Sequence, residues 1–214
     1  IIYMKKKVVC ALTAFVLMFS NGASAQALEP GNVVFDVYYG FPNLYKAVFK
    51  AGYANSGQEQ DLTISGIGPV GIRGEYMLAD KVGLGIDIGF NNTKLSYSEN
   101  SLVYNSNTGN YDTRKYQYDF STKKIGVMAT FNYHFIDNDV VDFYGVFGVG
   151  YGNRSYTFSS TDPDYLKQSV SGLIPVAARI GIGVRYFITD NLGVNLAAGF
   201  GQGGILNAGL SFKL

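Results

Sequence analysis

Tryptophan is absent from the 214-residue sequence, cysteine occurs once and proline five times. The lone cysteine, Cys10, excludes both a disulfide framework and a thiolate metal site. A single histidine, His134, cannot assemble a metal cluster either, so no cofactor is expected. Charged residues form only 15% of the chain, against roughly 25% in an ordinary soluble domain. Beyond the amino-terminal segment there is no run of ~18 uninterrupted apolar residues, which excludes a membrane-spanning helix there. What is abundant is glycine (27), tyrosine (17) and phenylalanine (15), a composition of packed strands rather than disorder.

Residues 1–25 read as a secretory signal. Lys5, Lys6 and Lys7 supply the basic start, Val8–Phe19 the apolar run, and Ala23-Ser24-Ala25 the small-x-small cleavage site. Met4 is the expected start, with Ile1–Tyr3 lying upstream of it, and Gln26 the new amino end of a single domain spanning 26–214. Removing three lysines from 17 basic residues, against 16 acidic ones, leaves a formal charge of −2. Such a chain offers no nucleic-acid surface.

From there the chain alternates with a period of two, the pattern of strands with unlike faces. In Val82–Asn91 the large apolar residues Val82, Leu84, Ile86, Ile88 and Phe90 are separated by Gly83, Gly85, Asp87, Gly89 and Asn91. The same pattern predicts strands over about Asn32–Gly40, Gly66–Leu78, Tyr118–Phe135, Phe143–Phe158, Gly172–Ile188, Leu192–Phe200 and Ile205–Leu214, eight in all. Long polar loops (Phe41–Thr63, Thr93–Gln117, Ser159–Ser171) alternate with tight turns at Ala79–Lys81, Ile136–Asp142 and Thr189–Asn191, and Gly201–Gly204 closes the last hairpin. The expected fold is all-β: an eight-stranded antiparallel up-and-down barrel, whose closure removes exposed strand edges.

Two assignments of the faces compete. A soluble lipocalin-like or streptavidin-like barrel would put the apolar rows inside. Its second face would then carry Lys and Glu, whereas here that face is mostly glycine with a few Asp, Arg and Asn. Aromatics on the apolar face gather at the two strand ends, as at the interfaces of a membrane. Tyr76, Tyr133, Phe135, Phe143, Tyr186 and Phe212 lie toward the tight turns, and Tyr39, Phe90, Tyr151 and Phe200 toward the long loops, with Phe131 and Phe147 the exceptions between them. This favours a transmembrane β-barrel with lipid outside and a crowded polar lumen.

The GPVGIRGEYML–ADK–VGLGIDIGF hairpin (68–90) and the FYGVFGVGYG strand (143–152) resemble the small outer-membrane β-barrel family of OmpA, OmpX and opacity-protein type, over about Asn32–Leu214. The last strand resembles the carboxy-terminal insertion signal of such barrels in Asn207, Gly209, Phe212 and Leu214, although the terminal residue is more often aromatic there. The resemblance implies a Gram-negative-type outer membrane, contact with its lipid, and insertion by the barrel assembly machinery.

Turn geometry sets Arg73 opposite Asp87, Glu75 opposite Gly85, His134 opposite Tyr144 and Arg185 opposite Asn195, counting from Leu78–Val82, Phe135–Phe143 and Ile188–Leu192 pairs. A polar lumen network is thereby expected from Asp36, Arg73, Glu75, Asp87, Lys124, His134, Arg179, Arg185 and Asn195, with Lys213 on the same face. Eight strands leave a bore that side chains fill, so a plug is expected. Small barrels also include lipid-A acyltransferases and deacylases built on a His, a Ser and a carboxylate near the outer leaflet. His134 lies one residue from a tight turn at the opposite end, so no catalytic residue is assigned and no enzyme is expected. Leu102–Tyr118 and Asn153–Tyr165 have a paratope-like composition suited to an extracellular or host ligand, with simply solvated loops as the alternative, and Tyr45, Phe49 and Tyr53 fit a short helix capping the mouth. The rival function is a narrow porin-like or OmpW-like channel for small solutes or apolar compounds.

Overall fold

The structure, a computed structural model, describes residues 27–53, 60–138 and 140–214. The signal segment, with Cys10, the start at Met4 and the cleavage site, lies outside the described residues, as do the side chains of Tyr45, Phe49 and Tyr53. In chain order the elements are β1 (Val33–Phe41), α1 (Leu44–Tyr53), β2 (Gln60–Ser65), β3 (Val70–Ala79), β4 (Val82–Asn105), β5 (Asn110–Asp137), β6 (Val141–Ser160), β7 (Gln168–Ser171), β8 (Val176–Phe187), β9 (Leu192–Gly201) and β10 (Leu206–Lys213). Eight of them close a barrel: β1, β3, β4, β5, β6, β8, β9 and β10 pair antiparallel in that order, and β10 returns to β1 from Val34↔Lys213 to Phe41↔Leu206.

Alternation decides which way each side chain points. Along β1, Val34, Asp36 and Tyr38 are buried while Phe35, Val37 and Tyr39 are exposed; β9 and β10 repeat the pattern. The outward row carries most of the large apolar residues, and its exposed members include the girdle residues Tyr39, Phe90, Tyr151, Phe200, Tyr76, Tyr133, Phe135, Tyr186 and Phe212. An outward surface of this kind is stable only where lipid covers it.

The central pairs follow the register counted from the turns: Arg73↔Asp87, Glu75↔Gly85, His134↔Tyr144 and Arg185↔Asn195. The turns themselves differ. Ala79 rather than Leu78 faces Val82, and Ile136 rather than Phe135 faces Phe143, because a bulge absorbs one residue beside each turn.

The larger correction concerns the long loops. Thr93–Gln117 is not a loop: β4 and β5 run on in unbroken register from Val82↔Tyr133 to Asn105↔Asn110, turning through Asn105–Asn110 with Gly109 at positive φ. Polar Ser, Asn, Lys and Thr interleave with Tyr, Leu and Val here, which reads as loop if apolar alternation is required. Outside a membrane, however, a two-stranded ribbon needs no apolar row. β6 extends beside it to Ser160, so most of Leu102–Tyr118, apart from the turn at 106–109, and most of Asn153–Tyr165 are strand. Within Phe41–Thr63 lie α1 and the start of β2, which pairs with β4; within Ser159–Ser171 lies β7, which pairs with β6. Together β2, β4, β5, β6 and β7 form a five-stranded tongue above the barrel.

Both ends of the bore are closed. At the tight-turn end, residues 27–31 fold across the opening. Ala27 N donates to Asn138 O at 2.8 Å, and Lys213 Nζ donates to Ala27 O at 3.0 Å. Ala27 and Leu28 are fully buried against Val34, Met77 and Phe187. At the other end, the Gly201–Gly204 turn dips inward. Gly201, Gly203 and Gly204 all have positive φ, which glycine adopts without a Cβ penalty, and the turn carries Gln202 into the bore.

Candidate functional site

The interior between these closures is an ion-paired cluster built from six strands. Asp36 on β1 receives Arg185 Nε at 3.1 Å, Arg185 Nη2 at 2.9 Å, Arg73 Nη1 at 3.3 Å and the Ser211 hydroxyl at 2.6 Å. Arg73 on β3 also donates from Nε to Asp87 at 3.2 Å and from Nη1 to the Tyr144 hydroxyl at 3.0 Å. Arg185 on β8 reaches Asp142 at 2.7 Å and Glu75 at 2.6 Å, with its guanidinium 4.3 Å from the Tyr144 ring centroid. Asp87 accepts from the Tyr38 hydroxyl and from Gln202 Nε2, each at 2.8 Å.

His134 is clamped between two carboxylates. Nδ1 lies 2.6 Å from Asp142 Oδ1 and Nε2 lies 2.9 Å from Glu75 Oε1. Both ring nitrogens donate only in the imidazolium form, in which the lumen as a whole holds four carboxylates (Asp36, Glu75, Asp87, Asp142) and four cations (Arg73, Arg179, Arg185, His134). All eight are buried. Neither nitrogen of His134 faces a hydroxyl, so the nucleophile–base contact of an acyl-transfer site is missing. Among the described residues there is no group of three or more His, Cys, Asp or Glu placed to hold a metal ion.

The residues expected in the lumen do not all join this cluster. Arg179 is buried but turned toward the inward loop, donating to the carbonyls of Gln202 and Gly204. Asn195 enters through Ser211, at 3.2 Å. Lys124 faces inward at the long-loop mouth, only half-buried and away from the ion pairs. Lys213 belongs to the tight-turn closure, with its ammonium 5.4 Å from the Phe187 ring centroid. On β10, Asn207 is buried, Gly209 packs against the β1 backbone, and Phe212 and Leu214 point outward.

Five members escape a search for charges on strand rows. Tyr38 and Tyr144 stand in otherwise small inward rows, and a large ring there is itself the signal of a lumen partner. Asp142 reads as part of an acidic turn, although it lies two residues before Tyr144 and so on the same face. Ser211 carries no charge. Gln202 sits in a turn whose inward fold no periodicity reveals.

Above the barrel, aromatic rings line the inner face of the tongue. Tyr97 and Tyr118 stack at 5.3 Å, Tyr118 meets Phe158 at 6.4 Å, and Phe120 meets Tyr156 at 6.3 Å. Burial pushes the Tyr118 hydroxyl up to about 12, helped by its hydrogen bond to Asp162 at 3.0 Å. Burial would raise Asp119, but Ser96 at 2.6 Å, Lys94 at 3.1 Å and Gln117 at 3.1 Å hold it below the usual carboxylate range. At the tip, Leu102, Tyr104 and Tyr111 are exposed.

A closed barrel with an apolar exterior and an ionic interior agrees with comparison to known proteins: residues 11–199 match the family described as outer membrane protein beta-barrel domain. The chain belongs to that family. It is thus an outer-membrane β-barrel. Solved structures of similar barrels include the N-terminal β-barrel domain of Pseudomonas aeruginosa OprF, with 14% identity, 87% of this chain and 100% of that one covered, and a TM-score of 0.45. Yersinia pestis Ail, the attachment invasion locus protein, has 13% identity, 86% and 99% coverage and a TM-score of 0.42. Pseudomonas aeruginosa OprG has 10% identity, 89% and 99% coverage and a TM-score of 0.46. No curated protein matches.

Proposed function

We propose that this outer-membrane barrel is a non-conducting, non-enzymatic anchor that holds the β2–β7 tongue on the outer face of a Gram-negative-type envelope, where the tongue contacts extracellular or host ligands. In this reading residues 1–25 direct export, the barrel assembly machinery reads the last strand, and lipid covers the apolar exterior. One observation supports it above others: the bore is occupied by ion-paired side chains and closed at both ends, while three strands continue far beyond the aromatic girdle. From Phe90 to Asn105 the ribbon extends roughly 50 Å at ~3.3 Å per residue. A pore has no use for such a ribbon; a binding surface does.

The test is conductance of the refolded protein in a planar bilayer. The expected record is flat. Steady unitary steps would overturn the plugged-anchor reading in favour of the narrow channel. In parallel, replacing 96–119 with a two-residue turn should leave heat-modifiable gel migration intact while abolishing any capture of host-cell matrix by cells displaying the protein.

A further inference from the structure

Near the tip of the tongue, one edge of β5 is open. β6 accompanies β5 only as far as Tyr118↔Ser160, and Thr161 then closes Gln117. Gln117 N donates to Thr161 Oγ1 at 2.9 Å, and Thr161 N donates to Gln117 O at 3.0 Å. From Tyr116 to the turn at Asn110, no strand among the described residues pairs with β5 on that side. In an antiparallel strand the backbone groups of successive residues point to opposite sides. Gln117 turns its own toward β6, so Lys115, Thr113 and Tyr111 do likewise, and their N–H and C=O groups face the open side. Such an edge is a template for another strand.

The open edge runs from Asn110 to Tyr116, and Thr113 is its centre. A second copy laid antiparallel along the whole edge sets Thr113 opposite Thr113 and Tyr111 opposite Lys115, the pairs that exchange N–H and C=O. Between them, Asp112 meets Arg114 of the second copy, and Arg114 meets its Asp112. These are the non-hydrogen-bonded positions, where opposed side chains stand closest. Arg114 is exposed, and the ion pairs of the tongue, Lys94–Asp119 and Lys115–Asp61, leave it without a carboxylate among the described residues. Asp112 accepts from Asn105 Nδ2 at 2.7 Å. The alignment is selective. A two-residue slip that keeps the backbone pairing sets Asp112 opposite Asp112 in one direction and Arg114 opposite Arg114 in the other, and like charges directly opposed destabilise a sheet.

We infer that the 110–116 edge is a homophilic contact, pairing with the same edge of a second copy held in a facing membrane. The facing membrane follows from strand direction. Antiparallel pairing about Thr113 has its two-fold axis along the sheet normal. The tongue continues the barrel wall in unbroken register, so that normal lies in the plane of the membrane. A half-turn about an in-plane axis turns the second barrel upside down, which one membrane does not allow. A contact this short is weak alone, but two apposed membranes present many copies and multiply it. The inference rests on the placement of the tongue outside the membrane in the function proposed above, and is independent of any host ligand.

The experiment folds the full chain into neutral phospholipid vesicles and follows their clumping by turbidity and by energy transfer between two separately labelled populations. Parent vesicles should clump. Asp112→Arg vesicles and Arg114→Asp vesicles should each clump at least tenfold more slowly alone, yet clump when mixed with each other. The double variant Asp112→Arg with Arg114→Asp, whose net charge is the parent's, should clump as the parent does. Thr113→Pro removes an N–H on the open side without touching the β4 ladder and should abolish clumping, whereas Thr113→Val should keep it. Heat-modifiable migration identifies folded variants. Labelling of Asn107→Cys, in the tip turn, by a membrane-impermeant thiol reagent reads the placement separately. Dispersed parent vesicles with position 107 labelled overturn the second copy as occupant and leave the edge to a strand of another protein. Clumping indifferent to Asp112→Arg or to Thr113→Pro overturns the pairing. Energy transfer between copies in one vesicle, without clumping, overturns the facing-membrane geometry. A position 107 closed to the reagent overturns the placement, and the inference with it.

Discussion

Replacing Arg185 with alanine should be the most damaging single change in the lumen. Its guanidinium is fully buried, makes four hydrogen bonds to three carboxylates (Asp36, Glu75 and Asp142), and stacks on Tyr144. Alanine leaves four buried carboxylates facing three cations, and no solvent reaches them. Removing one partner of a buried ion pair costs about 3–5 kcal/mol, because the cost is that of the stranded charge rather than of the lost attraction. Against a typical total stability of about 5–15 kcal/mol this is about a fifth or more. With a urea slope of about 2–3 kcal/mol per molar, the unfolding midpoint should fall by roughly 1–2.5 M. Lipid-vesicle unfolding followed by tyrosine fluorescence and gel migration reads this directly. Arg185→Lys, which keeps the charge but loses the planar fork, should fall in between. Asp142→Asn in the alanine background should recover part of the loss, since it removes one of the stranded charges. An Arg185→Ala midpoint equal to the parent's would refute the reasoning: the carboxylates would then be hydrated independently of their cations.

Two further outcomes follow from local geometry. Gly209→Ala should destabilise the barrel by about 1–3 kcal/mol, because a Cβ there runs into the Val37 carbonyl across the β1–β10 seam; vesicle unfolding measures it. The tongue should loosen in acid: Asp119 has its carboxyl lowered on folding, so its contribution is present above the unfolded value of about 3.9 and disappears as pH falls through the lower folded value. Amide exchange in 94–119 should rise below about pH 4, and Asp119→Asn should abolish that dependence. Tyr118 adds the opposite limit, full stability below about pH 10 and loss as pH rises toward about 12, followed by tyrosinate absorbance.

Barrel topology and the inward register were legible because lipid imposes a strict rule on the strands. Every outward position from Val82 to Phe90 must be apolar, so the parity of Asp87 and hence its pairing with Arg73 can be counted from a turn. Beyond Phe90 that constraint ends, and the strand character of Ser96, Ser98 and Asn100 leaves no periodic trace although their pairing with Asp119, Gln117 and Lys115 is continuous. The closures were illegible for a different reason. Gln202 and Leu28 are placed by contacts with residues far along the chain, Asp87 and Gly126 for one, Met77 and Phe187 for the other. Lys124 has the parity of a lumen residue, but parity does not say at what depth the ion pairs stop.

The ionic lumen also explains why one register wins. A slip of one residue in β3 would carry Arg73 and Glu75 to the lipid face and bring Ile72 and Tyr76 inward, since successive side chains point to opposite faces. A charged residue on the lipid face costs about 2–4 kcal/mol at mid-membrane for an arginine, before the loss of its partners is counted. A slip of two preserves parity yet moves Arg73 from Asp87 to Gly85 or Gly89, breaking its 3.2 Å bond and stranding Asp87 with Tyr38 and Gln202 alone. The glycine walls make both errors worse, because Tyr38 lies over Gly71 and Tyr144 over Gly183, and shifted rings meet larger neighbours. Charge, parity and ring space therefore penalise every neighbouring alignment. The consequence is measurable: exchanging the partners, Arg73→Asp with Asp87→Arg, conserves composition and parity but points each charge at the wrong second partner. The guanidinium introduced at position 87 would face Tyr38 and Gln202 where a carboxylate stood, and the carboxylate introduced at position 73 would face Asp36. Folding yield into vesicles should drop below that of Arg73→Met with Asp87→Leu, which removes both charges; a higher yield for the swapped pair would show that pairwise neutrality, not the network, sets the register.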